Sequence, residues 1–194
     1  MADFTITDRA KTAQNSNQTG LAYDIYFFLQ SEAHASTPFT FDATTREITA
    51  ITMATGNQAY KVEANIEEGL IDNPLSGGTG TFGTQTLTFA LDGLTSANKK
   101  ALDAFDKNTG LCALVILANG TRRLLGIDFD TTDSNNIWYY LTKFNAGGDT
   151  SGTIQDSSTT VTNRMQRTYT WNANNTAPFV STSLDLSTLT TAAA

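Results

Sequence analysis

Between Tyr60 and Glu67, apolar and polar residues alternate strictly. Tyr60, Val62, Ala64 and Ile66 fall on one side, and Lys61, Glu63, Asn65 and Glu67 on the other. A period of two is the signature of a strand with one covered and one polar face. The same period resumes in TQTLTFAL, residues 84–91, where Leu87, Phe89 and Leu91 point together. Dense apolar or β-branched runs at 21–30, 46–53, 136–144, 164–171 and 177–184 predict further strands. Leu111 to Ala118, LCALVILA, is apolar on both faces and predicts a central, doubly covered strand. Asn119-Gly120 then marks a hairpin, because both positions tolerate positive φ, with Thr121 to Phe129 as the return strand. The 34 Thr, 11 Phe and 6 Tyr agree with a chain built from strands.

One segment has a helical period. From Thr95 to Asn108, Ala97, Ala101, Leu102 and Phe105 form an apolar stripe, with Lys99, Lys100, Asp103, Asp106 and Lys107 around the rest. Thr95 or Ser96 supplies the cap, and Gly110 suits a left-handed stop. The count is eight to ten strands and one helix, with turns too frequent for alternating β and α units. The expected fold is mainly β: an antiparallel β-sandwich or half-barrel with one flanking α-helix at about residues 95–108, a long loop at about 70–83 and an N-terminal arm. Residues 1–20 read as the arm, 21–186 as a single domain and 187–194 as a small, polar C-terminal tail. Within the arm, Phe4 and Ile6 alternate with Thr5 and Thr7. The loop carries four glycines, Gly77, Gly78, Gly80 and Gly83, yet also Leu70, Ile71 and Leu75, which a solvated linker does not need.

Residues that carry chemistry are scarce. The chain has one Cys and one His, so internal disulfides and metal sites built mainly from Cys and His are excluded. His34 lies in a Pro-bounded connection, and Cys112 lies inside the most apolar strand, where a thiol behaves as a small hydrophobe. Asp128, Asp130 and Asp133 are close enough for Ca²⁺, but without the glycine and terminal Glu of a calcium loop they read as a solvated, acidic strand end. Gly77-Gly78-Thr79-Gly80 is followed by a strand, not by the helix N-terminus that a phosphate cradle needs. Lys99-Lys100 and Arg122-Arg123 lack the interleaved aromatics of a nucleic-acid groove. No catalytic, cofactor or metal residues are expected, and the chain is expected not to be an enzyme. A net charge of −7 argues against gripping phosphates by bulk electrostatics. Charged residues are 16% of the chain, against roughly 25% in a typical domain. The surface is therefore neutral and polar, or covered by partners. No apolar run reaches the ~18 residues of a membrane span, and the N-terminus lacks a signal peptide's basic start and apolar run.

The order of elements resembles the tail tube (major tail) proteins of tailed bacteriophages, especially a divergent type from phages of Bacteroidota. The segments that carry the resemblance run over residues 21–186: YDIYFFLQ, FTFDATTREITAITM, AYKVEANIEE, the long loop, TQTLTFALDGLTSANKKALDAF, LCALVILANGTRRLLGI, GGDTSGTIQDSS, RTYTW and APFVSTSLD. The resemblance implies a structural virion protein, made in the host cytoplasm and located in the tail. Six subunits would close a ring, and stacked rings would form the conduit for DNA ejection. Partners would be further copies and sheath, tail terminator and baseplate proteins, with DNA passing without specific binding. Mapped onto this chain, Leu70, Ile71, Pro74, Leu75 and Phe82 are expected at ring-to-ring contacts together with the arm, and Glu63 and Glu67 on an acidic lumen wall. Two other readings stand beside it: another tail or baseplate component of the same fold, and a carbohydrate-binding β-sandwich using Trp138, Tyr139, Tyr140 and Trp171 to stack on sugars.

Overall fold

The computed structural model describes residues 22–42, 44–65, 70–73, 83–92, 95–108, 110–117, 120–129, 138–141, 143–144, 154–155, 164–173 and 175–193. The fold is mainly β, as expected, with one substantial helix. Its strands are β1 (Ala22–Leu29), β2 (Phe39–Phe41), β3 (Ile48–Ile51), β4 (Tyr60–Asn65), β5 (Leu70–Asn73), β6 (Gly83–Asp92) and β7 (Leu111–Ile116). They continue as β8 (Arg122–Leu125), β9 (Ile127–Phe129), β10 (Trp138–Tyr140), β11 (Lys143–Phe144), β12 (Ile154–Gln155), β13 (Arg164–Ala173) and β14 (Phe179–Val180). Helix α1 spans Ser96–Lys107 and a single turn, α2, spans Ser187–Thr190. Twelve strands join one sheet in the order β11-β13-β6-β4-β1-β7-β8-β14-β3-β2, with β12 beside β13 and β5 beside β6. Pairings are antiparallel except β14 with β3, at Val180 and Ile48. Strands β9 and β10 form a separate pair.

The sheet curls. Strands β13 and β7 are separated by β6, β4 and β1, yet the Trp171 indole on β13 donates to the Leu111 carbonyl on β7 at 2.9 Å. That hydrogen bond crosses the interior of a half-barrel. Inside lie Ile25, Phe27, Val62, Leu87, Phe89, Leu114's neighbours Ala113 and Val115, Tyr169 and Trp171, with Leu102 and Phe105 of α1. Phe27 stands at the centre, with ring centroids 4.5 Å from Phe105 and 5.5 Å from Phe89. The other face of β1, β7 and β8 carries a second core, where Phe28, Cys112, Leu114 and Leu124 meet Ile48, Ile51, Val180 and Leu189. Two cores on opposite faces explain why β7 is apolar on both sides.

Helix α1 starts as its sequence requires, with the Thr95 hydroxyl accepting from the Asn98 amide at 3.1 Å. Three of the four residues of the expected stripe, Ala101, Leu102 and Phe105, are buried as expected. Ala97 is exposed, whereas Asn98, Ala101, Leu102, Ala104 and Phe105 are buried.

Five expectations need correction. The run 136–144 is not one strand, because β10 pairs with β9 whereas β11 pairs with β13 in the large sheet. The stretch 70–83 does not begin as loop, because Leu70–Asn73 is a strand paired with Thr84–Leu87. Thr121–Phe129 is not one strand. Gly126, at φ +88°, breaks it into β8 and β9, which belong to different sheets. A Cβ at Gly126 would stand 2.8 Å from the Leu111 carbonyl oxygen and 3.2 Å from the Trp171 indole nitrogen, so the corner is too tight for any side chain. Likewise, only Phe179 and Val180 of the run 177–184 pair in the sheet. Finally, residues 187–193 are no loose tail. Leu189 is buried, its carbonyl accepts from the Ala59 amide at 2.6 Å, and Ala193 exchanges backbone hydrogen bonds with Gly56 and Asn57.

Candidate assembly surfaces

The polar face of the half-barrel follows directly from register. Asn65 pairs with Ala90, so Lys61, Glu63 and Asn65 share a face with Thr84, Thr86 and Thr88 of β6. Ten consecutive pairs tie β6 to β13 and set Gln166, Thr168, Thr170 and Asn172 on that same face. The Thr86 and Thr170 hydroxyls lie 3.3 Å apart, and those of Thr88 and Thr168 3.0 Å apart. A ladder of threonines thus runs along two long central strands. Cross-strand Thr pairs suit the pleat and satisfy each other's hydroxyls. At its border, Lys61 bridges Asp24 at 3.1 Å and Glu63 at 3.2 Å.

Glu63 is therefore on the polar face, as its alternation predicted, but it shares a lysine with Asp24. The described part of this face is rich in hydroxyls and amides rather than acidic. Glu67, Pro74, Leu75 and Phe82 lie outside the described residues, as does the arm 1–20. Leu70 and Ile71 sit in β5, on the same edge of β6 that receives β4.

The half-barrel is held rigid by buried polar groups that the sequence did not single out. Gln85, fully buried, accepts from the Gly126 amide and donates to the Ile127 carbonyl, both at 3.0 Å. It satisfies the backbone that the Gly126 corner leaves unpaired. Asp106, near the end of α1, accepts from Tyr169 at 2.7 Å and from Arg167 at 2.9 Å. Lys143 of β11 donates to the carbonyls of Phe105 and Asp106 and lies over the Tyr169 ring. An ammonium on the last carbonyls of a helix meets the negative end of its dipole. Burial lowers the Lys143 ammonium to about 8, with Asp106 opposing that shift. The Tyr169 hydroxyl is pushed up, by burial first and by Asp106 second.

The residues considered for chemistry are placed apart. His34 is exposed, and its Nδ1 accepts from the Thr37 amide at 3.3 Å. Cys112 is fully buried, which pushes its thiol far up. Asp128 is not a solvated strand end. It is 1% exposed and accepts from Tyr139 at 3.1 Å and Asn175 at 3.0 Å, an anchor between β10 and the final segment. Asp130 and Asp133 lie outside the described residues. Arg122 donates to the Ser181 and Leu184 carbonyls, and Arg123 donates to Ala177 and stacks 4.3 Å from the Phe179 ring. Both arginines fasten the C-terminal segment to β8. Of the aromatics considered for sugar stacking, Trp171 is fully buried and Tyr139 is engaged by Asp128. The side chain of Trp138 lies outside the described residues.

One cavity, of about 600 Å³, opens beside the end of β1. It is lined by Gln30, Ser31, His34 and Ala35, with Gly110, Tyr140 and Leu141 opposite. These residues come from three distant parts of the chain, so no local pattern announces them. No family model, curated protein or solved structure matches the chain.

Proposed function

We propose that the chain is a self-assembling structural subunit of a phage tail tube, stacking as rings of six copies around a conduit for DNA. The observation that carries this reading is a large curled sheet left open at both edges, β11 at one and β2 at the other, among the described residues. An open edge keeps backbone groups that a neighbouring copy can pair, and ring closure removes both edges. The hydroxyl-rich face of β6 and β13 supports the same reading. Lys61 on that face is already bridged to Asp24 and Glu63, so among the described side chains hydroxyls and amides predominate and would let a duplex pass with little cationic grip. The segment between β5 and β6, residues 74–82, and the N-terminal arm would join one ring to the next, and sheath, terminator and baseplate proteins would complete the tail.

The test is negative-stain electron microscopy of the purified chain over a concentration series, with sedimentation velocity alongside. Rings or hollow tubes are the expected result. A monomer that persists at the highest concentration, in the presence of preformed tube ends, overturns the proposal.

A further inference from the structure

The cavity at the end of β1 lies between two fixed walls. One is the turn that follows β1. The Gln30 amide donates to the Gly110 carbonyl at 2.8 Å, and the His34 amide to the Thr52 carbonyl at 2.9 Å, so both ends of that turn are pinned. Gly110 allows the close approach, because a Cβ there would meet the Gln30 Cβ at 3.2 Å and its φ is +67°. The other wall is Tyr140 and Leu141. Tyr140 pairs with Ile127, and its ring centroid lies 5.7 Å from that of Phe39. The Leu141 amide donates to the Gly126 carbonyl at 2.8 Å. A volume of about 600 Å³ falls within the roughly 300–1,000 Å³ of small-molecule sites.

We propose that this cavity binds a neutral saccharide, with Tyr140 as its aromatic wall and Gln30, Ser31 and His34 as its hydrogen-bonding rim. The inference stands apart from the assembly reading and holds whether or not the chain forms rings. The chemistry of the lining selects the ligand. Among the described residues, no Asp, Glu, Lys or Arg lines the cavity. Glu32, the acid of the same turn, is engaged elsewhere: its carboxylate accepts from the Leu29 amide at 2.8 Å and from the Tyr60 hydroxyl at 3.3 Å. An ionic ligand would lose hydration here and gain no countercharge. What the rim offers is an amide, a hydroxyl and an imidazole, all on exposed residues. Such groups match sugar hydroxyls, which both donate and accept. His34 Nδ1 accepts from the Thr37 amide at 3.3 Å, which in the neutral ring leaves the proton on Nε2 as a donor. Tyr140, Ala35 and Leu141 give apolar surface to the C–H side of a sugar ring. Tyr140 also carries a buried hydroxyl with no hydrogen-bond partner among the described residues. Folded chains seldom leave such a group unpaired, and a ligand oxygen supplies the partner. Walls fixed before binding reduce the ordering that binding must impose.

The test is saturation-transfer difference NMR of the full chain with the methyl glycosides of glucose, galactose, mannose and N-acetylglucosamine, followed by an array of neutral, sialylated and sulfated glycans. Binding to a neutral saccharide is expected. Free glycosides report a site for single sugars, and array binding alone reports a site for longer surface glycans. Gln30→Ala is expected to weaken binding about fivefold, the worth of one hydrogen bond, and Tyr140→Phe by a similar factor. Ala35→Trp fills the cavity from an exposed position and is expected to abolish binding with the melting temperature unchanged. Silence from every neutral glycoside and glycan overturns the proposal, and so does binding shown by charged glycans only. Binding that survives Ala35→Trp overturns it too, with Gln30→Ala as the deciding variant if the larger side chain disturbs folding. Unchanged affinity in Tyr140→Phe overturns the part given to the hydroxyl. Tubes that bind no saccharide overturn this inference alone, and a persistent monomer that binds one overturns the tube reading alone.

Discussion

Gly126 and Gln85 form a single device. The glycine turns the chain where β8 leaves the sheet, and the glutamine takes up the backbone amide and carbonyl that the turn exposes. Gly126→Ala forces a left-handed residue against the Leu111 carbonyl, and we expect it to lower unfolding free energy in urea by about 3 kcal/mol. Gln85→Leu keeps the volume but orphans both backbone groups, and the same titration is expected to show a loss of about 2–3 kcal/mol. Neither residue was legible in the sequence. TRRLLGIDF reads as one uninterrupted strand, because a glycine within a strand gives no local sign of the carbonyl and indole that crowd it. Lys143 also acts at this scale. Its folded value, about 8, lies below the ordinary 10.5, so between those values the unfolded chain holds the proton and the folded chain does not. Stability therefore rises with pH across that window and is lost as pH falls through it. Thermal melts from about pH 7.5 to about pH 9.5 are expected to show a rising midpoint, and Lys143→Met to flatten that rise.

At the scale of elements, the sequence was most readable where one element meets one environment. Strands β4 and β6 each have one covered and one polar face, so their period of two survives intact. Helix α1 has its cap at Thr95, and Thr95→Ala is expected to cost about 1 kcal/mol in chemical unfolding. Its stripe was legible at Ala101, Leu102 and Phe105 and missed at Ala97, because Asn98, a polar residue, takes the buried position in the first turn. Legibility failed where pairing is long-range. Only two residues of the run 177–184 form strand pairs, and their neighbours β8 and β3 lie more than fifty residues away in the chain. Leu189 was concealed in the same way. Its surroundings are small and polar in sequence, but in space it closes the second core.

At the scale of the whole molecule, a sandwich or half-barrel with cover on both faces of β7 was expected, but not which elements supply the second core. No pattern in a strand such as LCALVILA says what covers each face. The cavity was equally hidden, since it is assembled from residues near 30, 110 and 140. Deleting residues 187–194 removes Leu189 from the second core together with the backbone ties to Gly56, Asn57 and Ala59. We expect a loss of about 3 kcal/mol or more, read as a fall in melting temperature with the far-ultraviolet spectrum largely preserved.

The position of β14 also sets a timetable. Among the described residues, the β2–β3 hairpin reaches the rest of the sheet through Val180, which lies between β8 and β3. A chain emerging from the ribosome has the half-barrel's strands up to β8 in hand long before that residue is made. Strands β2 and β3 are made early but join the sheet only through a much later segment, and the half-barrel likewise closes only when β13 arrives. The first strands of this chain therefore stay without their final neighbours until the last strands are made.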